Sequence, residues 1–225
     1  MGRAKEIIVK VIPANIANEF VKKHHYSGKV VPNSQLHFGA FLDNALHGVM
    51  SFGASINKKG TINLVKKTGW NDFLELNRMA FDEYLPKNSE SRCISIALKL
   101  IKKNAPNIKW VISFADGCSC GDGTIYRASG FLLTDIRENK ALKINPITKE
   151  KVHTITAYHQ KNKDFKNWEA LDGYQLRYIY FIDKSKQKDL TVPIIPFSKI
   201  DELGAGMYKG EKITQKERHN KKQPE

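Results

Sequence analysis

The segment from residue 73 to residue 131 constrains the fold most, because strand and helix patterns alternate in it with short connections. "FLELNRMAF" has the apolar content of a buried strand, interrupted by Asn77 and Arg78, and "WVISFA" predicts a second strand. Between them, "NSESRCISIALKLIKKNAP" repeats apolar residues at helical spacing, with Asn88 or Ser89 as its cap. A strand–helix–strand unit predicts a crossover connection between two neighbouring parallel strands.

The flanking segments extend this unit into a larger α/β layer. "EIIVKVIP" predicts a strand that ends at Pro13, and a helix with Asn15 as its N-cap follows and ends near Gly28. "LHFGAFLD" and "ALHGVMSFGAS" predict a hairpin, and "GTIYRASG" predicts a helix closed by Gly130. "TITAYH" and "YQLRYIYFI" predict two late strands, and from Lys184 onward the apolar pattern fades.

The predicted fold is therefore α/β, with a mixed central sheet flanked by helices in a single domain. We expect this catalytic domain to span residues 1–183. Residues 184–225 are rich in lysine, so we expect a basic C-terminal extension that is partly flexible.

Charge is the strongest signal in the composition, since 37 Lys and Arg stand against 23 Asp and Glu and give a net charge of +14. Such an excess attracts the phosphate backbone through counterion release, so it favours a nucleic acid as partner. A generally basic protein is the alternative, because charge alone carries no sequence recognition.

Other compositional features exclude whole classes of protein. The sequence has no apolar run of 18 residues, and its first residues include lysine and proline where a signal peptide needs an unbroken apolar stretch. Three cysteines without a secretory signal predict reduced thiols. We therefore expect a cytoplasmic protein with no membrane partner.

Six motifs resemble, in this order, those of the Mom-like phage proteins that modify adenine in DNA: "HHYSG", "HFGAF", "ELNRMAF", "NSESRCISIALKLIKK", "VISFADG" with "GDGTIYRASGF", and "GYQLRYIYF". Together they cover about residues 20–182. The resemblance implies a fold related to the GNAT acyltransferases. It also implies an enzyme that adds a carbamoylmethyl (glycinamide) group to adenine N6 in double-stranded DNA. That group shields phage DNA from host restriction, so the expected location is the cytoplasm of an infected bacterium.

The donor of that group is left open by the sequence. The resemblance associates the chain with acetyl-coenzyme A and with iron. GNAT enzymes cradle the pyrophosphate of coenzyme A in a glycine-rich loop, whereas the corresponding loop here, "DEYLPKNSESR", contains no glycine. A carbamoylmethyl group also contains a nitrogen that acetyl lacks, and it is isomeric with glycyl. Glycyl-tRNA is therefore the alternative donor, and tRNA would then be a second partner.

Asp116 follows the predicted strand "WVISFA", at the edge where ligands bind in open α/β sheets. We expect it to accept a hydrogen bond from adenine N6 or to act as a base. Asp116→Ala is then expected to abolish modification and to leave non-specific DNA binding nearly intact. The alternative is an Asx turn in "ADG".

Tyr126, Tyr26 and His25 are the other predicted catalytic residues. Adenine N6 lies within the duplex, so the base has to flip into a pocket with aromatic or apolar walls. Tyr26 and His25 in "HHYSG" can stack on that base or bind its edge. By resemblance, Tyr126 corresponds to the tyrosine that protonates the leaving group in GNAT enzymes. A half-buried Tyr126 and a purely structural "HHY" are the alternatives.

Polar residues of the strand–helix–strand unit form the predicted binding set for substrate or donor: Arg78, Asn77, Ser113, Ser89, Ser91 and Arg92. A buried arginine needs a carboxylate or phosphate partner. The expected partner of Arg78 is the donor, or else Glu75 or Asp116 in a structural ion pair. Ser91 matches a serine at the start of the family's helix, and an ordinary first-turn serine is the alternative.

The loop "DGCSCGDG" is the remaining candidate for a ligand site. Its cysteines, Cys118 and Cys120, are spaced C-x-C, and no H-x-D/E…H pattern accompanies them, so no ligand motif supports iron and no residue is assigned to a metal. A site assembled in space from these cysteines with His24 or His25 is the alternative. Gly117, Gly121 and Gly123 predict turns that let this loop approach a ligand closely.

Two rival functions are kept beside adenine modification. One is a GNAT-type acyltransferase acting on a protein or small amine, against which the missing glycine loop argues. The other is a non-catalytic nucleic-acid-binding protein, which explains the charge but not Asp116, Arg78 and Tyr126 at strand ends and on the next helix.

Overall fold

The computed structural model describes residues 3–139, 141–149, 151–159 and 163–220. Its strands are β1 (Ile8–Val11), β2 (Ser34–Leu42), β3 (Ala45–Gly53), β4 (Phe73–Phe81), β5 (Trp110–Asp116), β6 (Leu132–Glu138), β7 (Leu142–Ile144), β8 (Lys151–His153), β9 (Glu169–Ala170), β10 (Tyr174–Phe181), β11 (Met207–Tyr208) and β12 (Glu211–Lys212). Its α-helices are α1 (Ala14–His24), α2 (Lys58–Thr61), α3 (Ser89–Asn104), α4 (Thr124–Ala128), α5 (Thr154–His159), α6 (Ser198–Glu202) and α7 (Gln215–Asn220).

Seven strands form the main sheet in the order β1-β2-β3-β4-β5-β10-β6. Strands β1 to β4 pair antiparallel, whereas β4 and β5 pair in parallel and are joined by α3. The predicted crossover is therefore confirmed, and so is the α/β fold with a mixed central sheet. Two small sheets, β8-β7-β9 and β11-β12, complete the strands of the described residues.

The chain divides into two compact units, each with apolar side chains of its own. Unit 1 comprises Met1–Phe114, Thr124–Thr134 and Arg177–Ile194. One of its cores packs Phe73 on Trp110 with ring centroids 4.4 Å apart, and another packs Val21 of α1 with Val49 and Ala80 of the sheet.

Unit 2 comprises Ala115–Gly123, Asp135–Leu176 and Ile195–Glu225. It buries Val152, Ala157 and Trp168 together. It also contains a buried ion pair between Asp122 and Arg218 of α7. The residues after 184 thus contain short ordered elements up to Asn220, while the domain boundary predicted at residue 184 stays a prediction.

The predicted hairpin and the closure of α4 are confirmed by backbone conformation. Asp43 and Asn44 both have positive φ (50° and 63°), as a two-residue turn between β2 and β3 requires, and short polar side chains tolerate that conformation. Gly130 follows α4 with φ of 81°, a left-handed position that favours glycine.

Two sequence predictions of secondary structure are wrong, and one strand was not predicted. Helix α1 begins at Ala14 after Pro13, so Asn15 lies in its first turn and is not the N-cap. "TITAYH" is helix α5, not a strand, because the packing of Val152 and Ala157 against Trp168 outweighs a local β preference. The further strand of the sheet is instead β6, directly after Gly130.

Among the helices of the described residues, none combines the length and the apolar character that crossing a membrane requires.

Candidate functional site

A row of polar side chains crosses one face of the sheet in unit 1. His37, Ser51 and Arg78 are cross-strand neighbours on β2, β3 and β4. Alternate residues of a strand face the same side, so this row shares its face with Val49 and Ala80, which pack against α1. The face therefore changes from apolar to polar toward the carboxyl end of α1.

A β-bulge in β4 changes the spacing of the next polar row. Ser51 pairs with Arg78 but Phe52 pairs with Leu76, so Asn77 is the extra residue. The bulge leaves Glu75 opposite Gly53, which in turn pairs with Ser34. Asn77 is buried, and its amide oxygen accepts a hydrogen bond of 3.0 Å from the Ser34 hydroxyl.

Arg78 is held by main-chain carbonyls. Its Nε donates to the Lys29 carbonyl oxygen and its Nη1 to the Asn77 carbonyl oxygen, both at 2.8 Å. Among the described residues of unit 1, no carboxylate forms a salt bridge with Arg78, so an ion pair with Glu75 is not found. Burial lowers the pKa of the guanidinium, and electrostatic interaction with Tyr26, Glu75 and Tyr126 opposes that shift. This cation is thus positioned but not neutralised by contact.

Glu75 is the functional candidate that sequence reasoning treated only as a partner of Arg78. Burial raises the pKa of its carboxyl group, while the Ser55 and Asn77 side chains, the Arg78 charge and the backbone of Ile56 oppose the rise. The amide nitrogen of Asn77 (Nδ2) is buried and does not donate a well-formed hydrogen bond to any described group. The signal available in the sequence was a carboxylate three residues before Arg78 in an apolar strand.

His25 lies at the end of α1 in the same cluster. Ser27 donates its backbone N–H to His25 Nδ1 at 3.1 Å, so that nitrogen is an acceptor and the neutral ring carries its proton on Nε2. Burial and the nearby Arg78 charge lower the pKa of His25 to about 4. The ring is therefore neutral at physiological pH and presents a hydrogen-bond donor.

The two tyrosines of the cluster differ in exposure. Tyr26 is 55% exposed, and its ring centroid lies 4.3 Å from that of His25. Tyr126 on α4 is 8% exposed and packs between Phe131 and Tyr178, with centroids 5.5 and 5.3 Å away. Tyr26 thus offers an accessible aromatic face, whereas Tyr126 offers a fixed hydroxyl.

The pairing of β4 with β5 ends inside the strands. Among the described residues the ladder covers Phe73–Glu75 and Trp110–Ile112, although both strands continue further. Beyond it, the buried Ser113 hydroxyl donates to the Leu76 carbonyl oxygen at 3.1 Å. Ser113 therefore links the two strands where backbone pairing stops, so its hydroxyl already has a partner.

A basic groove lies at the start of α3 and has a volume of about 490 Å³. It is lined by Ala4, Lys5, Lys87, Asn88, Ser91, Arg92, Ser95 and Ala128. Of the residues predicted there, Ser91 and Arg92 line the groove. Ser89 does not, because it is fully buried and its hydroxyl donates to the Pro86 carbonyl.

Asn88 gives this groove its backbone shape. It has φ of 68° and no side-chain hydrogen bond that caps α3. A left-handed asparagine therefore takes the conformation for which glycine is usually required, in a loop without glycine. The groove therefore lies beside the amino end of α3, where the positive end of the helix dipole favours an anion.

In unit 2, Asp116 folds back on its own loop. Its Oδ1 accepts the Cys118 N–H at 2.9 Å, and its carbonyl accepts N–H groups of Cys120 and Gly121, both at 3.0 Å. This is the Asx turn given above as the alternative. The predicted role of Asp116 in catalysis stays a prediction.

Two glycines of this loop, Gly117 and Gly121, lie close to the backbone of other segments of unit 2. Gly117 donates to the Tyr174 carbonyl at 2.8 Å, and a Cβ on Gly117 would lie 2.6 Å from that oxygen. Gly121 pairs with Tyr208 in an isolated bridge. Close packing within unit 2 thus accounts for both residues.

The described residues do not form a site that fits iron. No three His, Cys, Asp or Glu side chains of the described chain lie together as a metal-binding group. Burial, with the nearby Asp116 carboxylate, raises the pKa of the Cys118 thiol to about 11, so its thiolate is disfavoured. We derive no step through iron.

Unit 1 therefore brings together His25, Tyr26, Arg78 and Tyr126, with Asn77 beside them and Glu75 added by the structure. Ser91 and Arg92 line a separate groove of the same unit. We call the first group, His25, Tyr26, Glu75, Asn77, Arg78 and Tyr126, the β4 cluster.

Comparison with known proteins shows similarity to a protein family and to a phage protein. The sequence matches the model of the Mom protein family over residues 6–199. It is 33% identical over 202 residues to the methylcarbamoylase Mom of Escherichia phage Mu. The aligned region covers 85% of this chain and 82% of that protein.

Solved structures that align with the chain include two acetyltransferases. One is an IAA acetyltransferase from Bacillus cereus, 13% identical over 78% of this chain and 99% of that chain, with a TM-score of 0.47. The other is the spermidine/spermine N-acetyltransferase SpeG from Vibrio cholerae, 10% identical over 83% of this chain and 99% of that chain, with a TM-score of 0.49. Both scores lie below 0.5, so neither supports a conclusion about function.

Proposed function

The chain belongs to the Mom protein family, and on this premise we propose that it is a phage-type DNA modification enzyme. It adds a carbamoylmethyl group to adenine N6 in double-stranded DNA and so protects that DNA from host restriction. The observation that carries the proposal is the β4 cluster, in which a cation, a carboxylate and two tyrosines interact in one unit. Transfer of an acyl-type group to an amine needs a proton acceptor, a stabiliser of negative charge on oxygen and a wall for the base.

Glu75 is the proton acceptor in this proposal. The N6 amine is a weak nucleophile because its lone pair is delocalised into the ring, so the proton must leave as the new bond forms. A carboxylate whose pKa is raised by burial takes up a proton more readily at neutral pH than an exposed one. Arg78, which no carboxylate of its unit neutralises by a salt bridge, stabilises the oxyanion of the donor carbonyl.

The aromatic residues hold the base and the leaving group. Tyr26 is exposed enough to stack on an extruded adenine, and His25 can donate from Nε2 to a ring nitrogen of that base. Tyr126 protonates the leaving group. Asp116 as a contact to adenine N6 rests on its position at the end of β5 and on the family resemblance.

The groove at the start of α3 is the proposed site for the anionic part of the donor. Lys5, Lys87 and Arg92 line it with positive charge, and the amino end of α3 lies beside it. These features suit the diphosphate of an acyl-coenzyme A and the phosphates of a glycyl-tRNA alike. A glycyl group supplies every atom of carbamoylmethyl after rearrangement, whereas acetyl needs a further nitrogen source and a two-electron oxidant to join its methyl carbon to N6.

Nucleoside mass spectrometry tests the proposed function. DNA from cells that produce the chain is digested to nucleosides and compared with DNA from cells carrying an empty vector. We expect an adenine species heavier by one carbamoylmethyl group, and resistance of the DNA to restriction enzymes with adenine in their sites. Adenine that stays unmodified in well-expressing cells contradicts the proposal.

Labelled donors then separate the two donor classes. Purified protein and duplex DNA are incubated with labelled acetyl-coenzyme A or with labelled glycyl-tRNA. Label on adenine from only one of them identifies the donor, and Arg92→Gln should weaken transfer from either. If Arg92→Gln leaves the rate of transfer unchanged, the groove does not bind the donor.

A further inference from the structure

Two lysine-rich segments of unit 1 that are distant in sequence form one surface. Residues 56–70 contain four lysines and no acidic residue, and residues 184–190 contain three lysines and one aspartate. We call them together the lysine ridge. Its lysines are Lys58, Lys59, Lys66, Lys67, Lys184, Lys186 and Lys188.

Backbone hydrogen bonds fix the two segments to each other. Lys66 N–H donates to the Asp189 carbonyl at 2.8 Å, and Thr191 N–H donates to the Leu64 carbonyl at 2.9 Å. Val65 and Leu190 form an antiparallel bridge there. Seven positive charges are thus held on one scaffold rather than distributed along a flexible chain.

Three aspartates, Asp72, Asp183 and Asp189, oppose the seven lysines of the ridge, and Asp72 accepts the Gly69 N–H at 2.8 Å. Asp189 lies 3.5 Å from Lys186, and Asp183 at its edge accepts hydrogen bonds from Ser185. Lys59, Lys66, Lys67, Lys184 and Lys188 are exposed to solvent. Their charges therefore face outward, where a polyanion can reach them.

Lys67 holds an unusual backbone conformation at the tip of the ridge. Its φ is 53°, a left-handed conformation that costs a residue with a Cβ about 1 kcal/mol or more. The turn is closed by the Thr68 hydroxyl, which donates to the Val65 carbonyl at 2.6 Å. The side chains of Lys66 and Lys67 project from this turn.

The ridge is connected to the β4 cluster. Its first residue, Ile56, and the preceding Ser55 interact with Glu75, and Ser55 Oγ lies 3.1 Å from Oγ1 of Thr61 in α2. A polyanion seated on the ridge would therefore be bound by a segment whose first residue contacts Glu75 of the cluster. Exposed Trp70, with Lys58 Nζ 4.5 Å above its ring, adds a surface for contact with sugars.

We infer that the lysine ridge binds the phosphate backbone of the duplex beside the β4 cluster and so positions the base to be extruded. This inference rests on the proposed function for the identity of the duplex as substrate. Charge attraction and counterion release supply affinity without sequence information, which leaves recognition of adenine to the cluster.

Salt-dependent binding to duplex DNA tests the ridge. The variant Lys66→Gln/Lys67→Asn removes two charges, and asparagine tolerates the left-handed conformation at residue 67. The backbone bonds of both residues survive the change. We expect the slope of log K against log salt to fall by about 2, and affinity at 0.1 M salt to fall roughly tenfold per lost contact.

The matched control is Lys102→Gln/Lys103→Gln on the exposed end of α3, with the same change in net charge. It should leave the slope unchanged. An equal loss in the control means that net charge alone binds DNA, and an unchanged slope in the ridge variant excludes the ridge; either result overturns the inference. Loss of affinity for duplex RNA without loss for duplex DNA overturns it too.

Failure of the inference is distinguishable from failure of the proposed function. Binding is measured without a donor, so it does not depend on chemistry. Unmodified adenine in cells with the wild-type chain rejects the function whatever the ridge does. Modified adenine together with normal DNA binding by the ridge variant rejects the ridge alone.

Discussion

At the scale of one residue, Glu75 lowers the stability of the folded protein because its charged side chain is half-buried. Its carboxylate is taken out of water, and the groups around it only partly replace that hydration, so the charged form is disfavoured in the folded protein. A structural role would favour a neutral amide of the same shape. The presence of a carboxylate instead of an amide therefore fits a residue that accepts a proton during the reaction.

Glu75→Gln is expected to lower adenine modification by about 10²- to 10⁴-fold, the usual contribution of a general base. The folded-state pKa of Glu75 lies above its unfolded value, so its contribution to stability decreases as pH rises between the two values. The variant should therefore melt no lower than the wild type at pH 8, with the difference shrinking toward pH 4. A lower Tm at pH 8 with activity retained would assign Glu75 a structural role.

His25 has the opposite linkage. Its folded-state pKa of about 4 lies below the ordinary 6.5, so its contribution to stability is complete above that value and is lost as pH falls toward 4. The loss is at most roughly 3 kcal/mol for a shift of this size. His25→Gln should flatten the pH dependence of the free energy of unfolding between pH 4 and 6.5. A curve parallel to that of the wild type contradicts a neutral, half-buried His25.

At the scale of elements, the strand–helix–strand unit of β4, α3 and β5 was predictable because its apolar periodicity is local. Strand β6 and helix α5 were not, since packing between distant residues selects them over short, ambiguous patterns. The β4 cluster was predictable only in part. Arg78 stands out in an apolar strand, but the bulge at Asn77 that sets Glu75 beside it depends on pairing with β3.

The start of α3 offers a test at this scale. Asn88 has φ of 68°, so Asn88→Ala should cost about 1–2 kcal/mol of stability, whereas Asn88→Gly should cost little or nothing. Urea unfolding of both variants measures the difference. Equal stability of the two would show that residue 88 is not left-handed.

For the whole molecule, the net charge of +14 is arranged rather than uniform. Unit 1 concentrates lysines on the ridge, and unit 2 buries one of its arginines. In unit 2, Arg218 of α7 pairs with Asp122, and both are buried. The lysine-rich C-terminal segment therefore includes one residue, Arg218, whose buried partner lies 96 positions earlier in the sequence.

Arg218→Met tests that arrangement. It leaves the Asp122 carboxylate buried without its cation, which typically costs about 3–5 kcal/mol. The control Lys216→Met, at an exposed position of the same helix, should change stability by no more than about 0.5 kcal/mol. Thermal unfolding measures the difference. Equal Tm values for the two variants would show that the terminal segment does not stabilise unit 2.

The central claim, that the β4 cluster modifies adenine N6, is tested most directly by nucleoside mass spectrometry of DNA from cells that produce wild-type chain, Arg78→Lys or Lys102→Gln at equal levels. Lysine keeps the charge of residue 78 but loses the fixed geometry of the guanidinium on the Lys29 and Asn77 carbonyls. We predict carbamoylmethyl-adenine in the wild type and in Lys102→Gln, and a loss of at least about 10²-fold in Arg78→Lys. Equal modification in all three would contradict the claim.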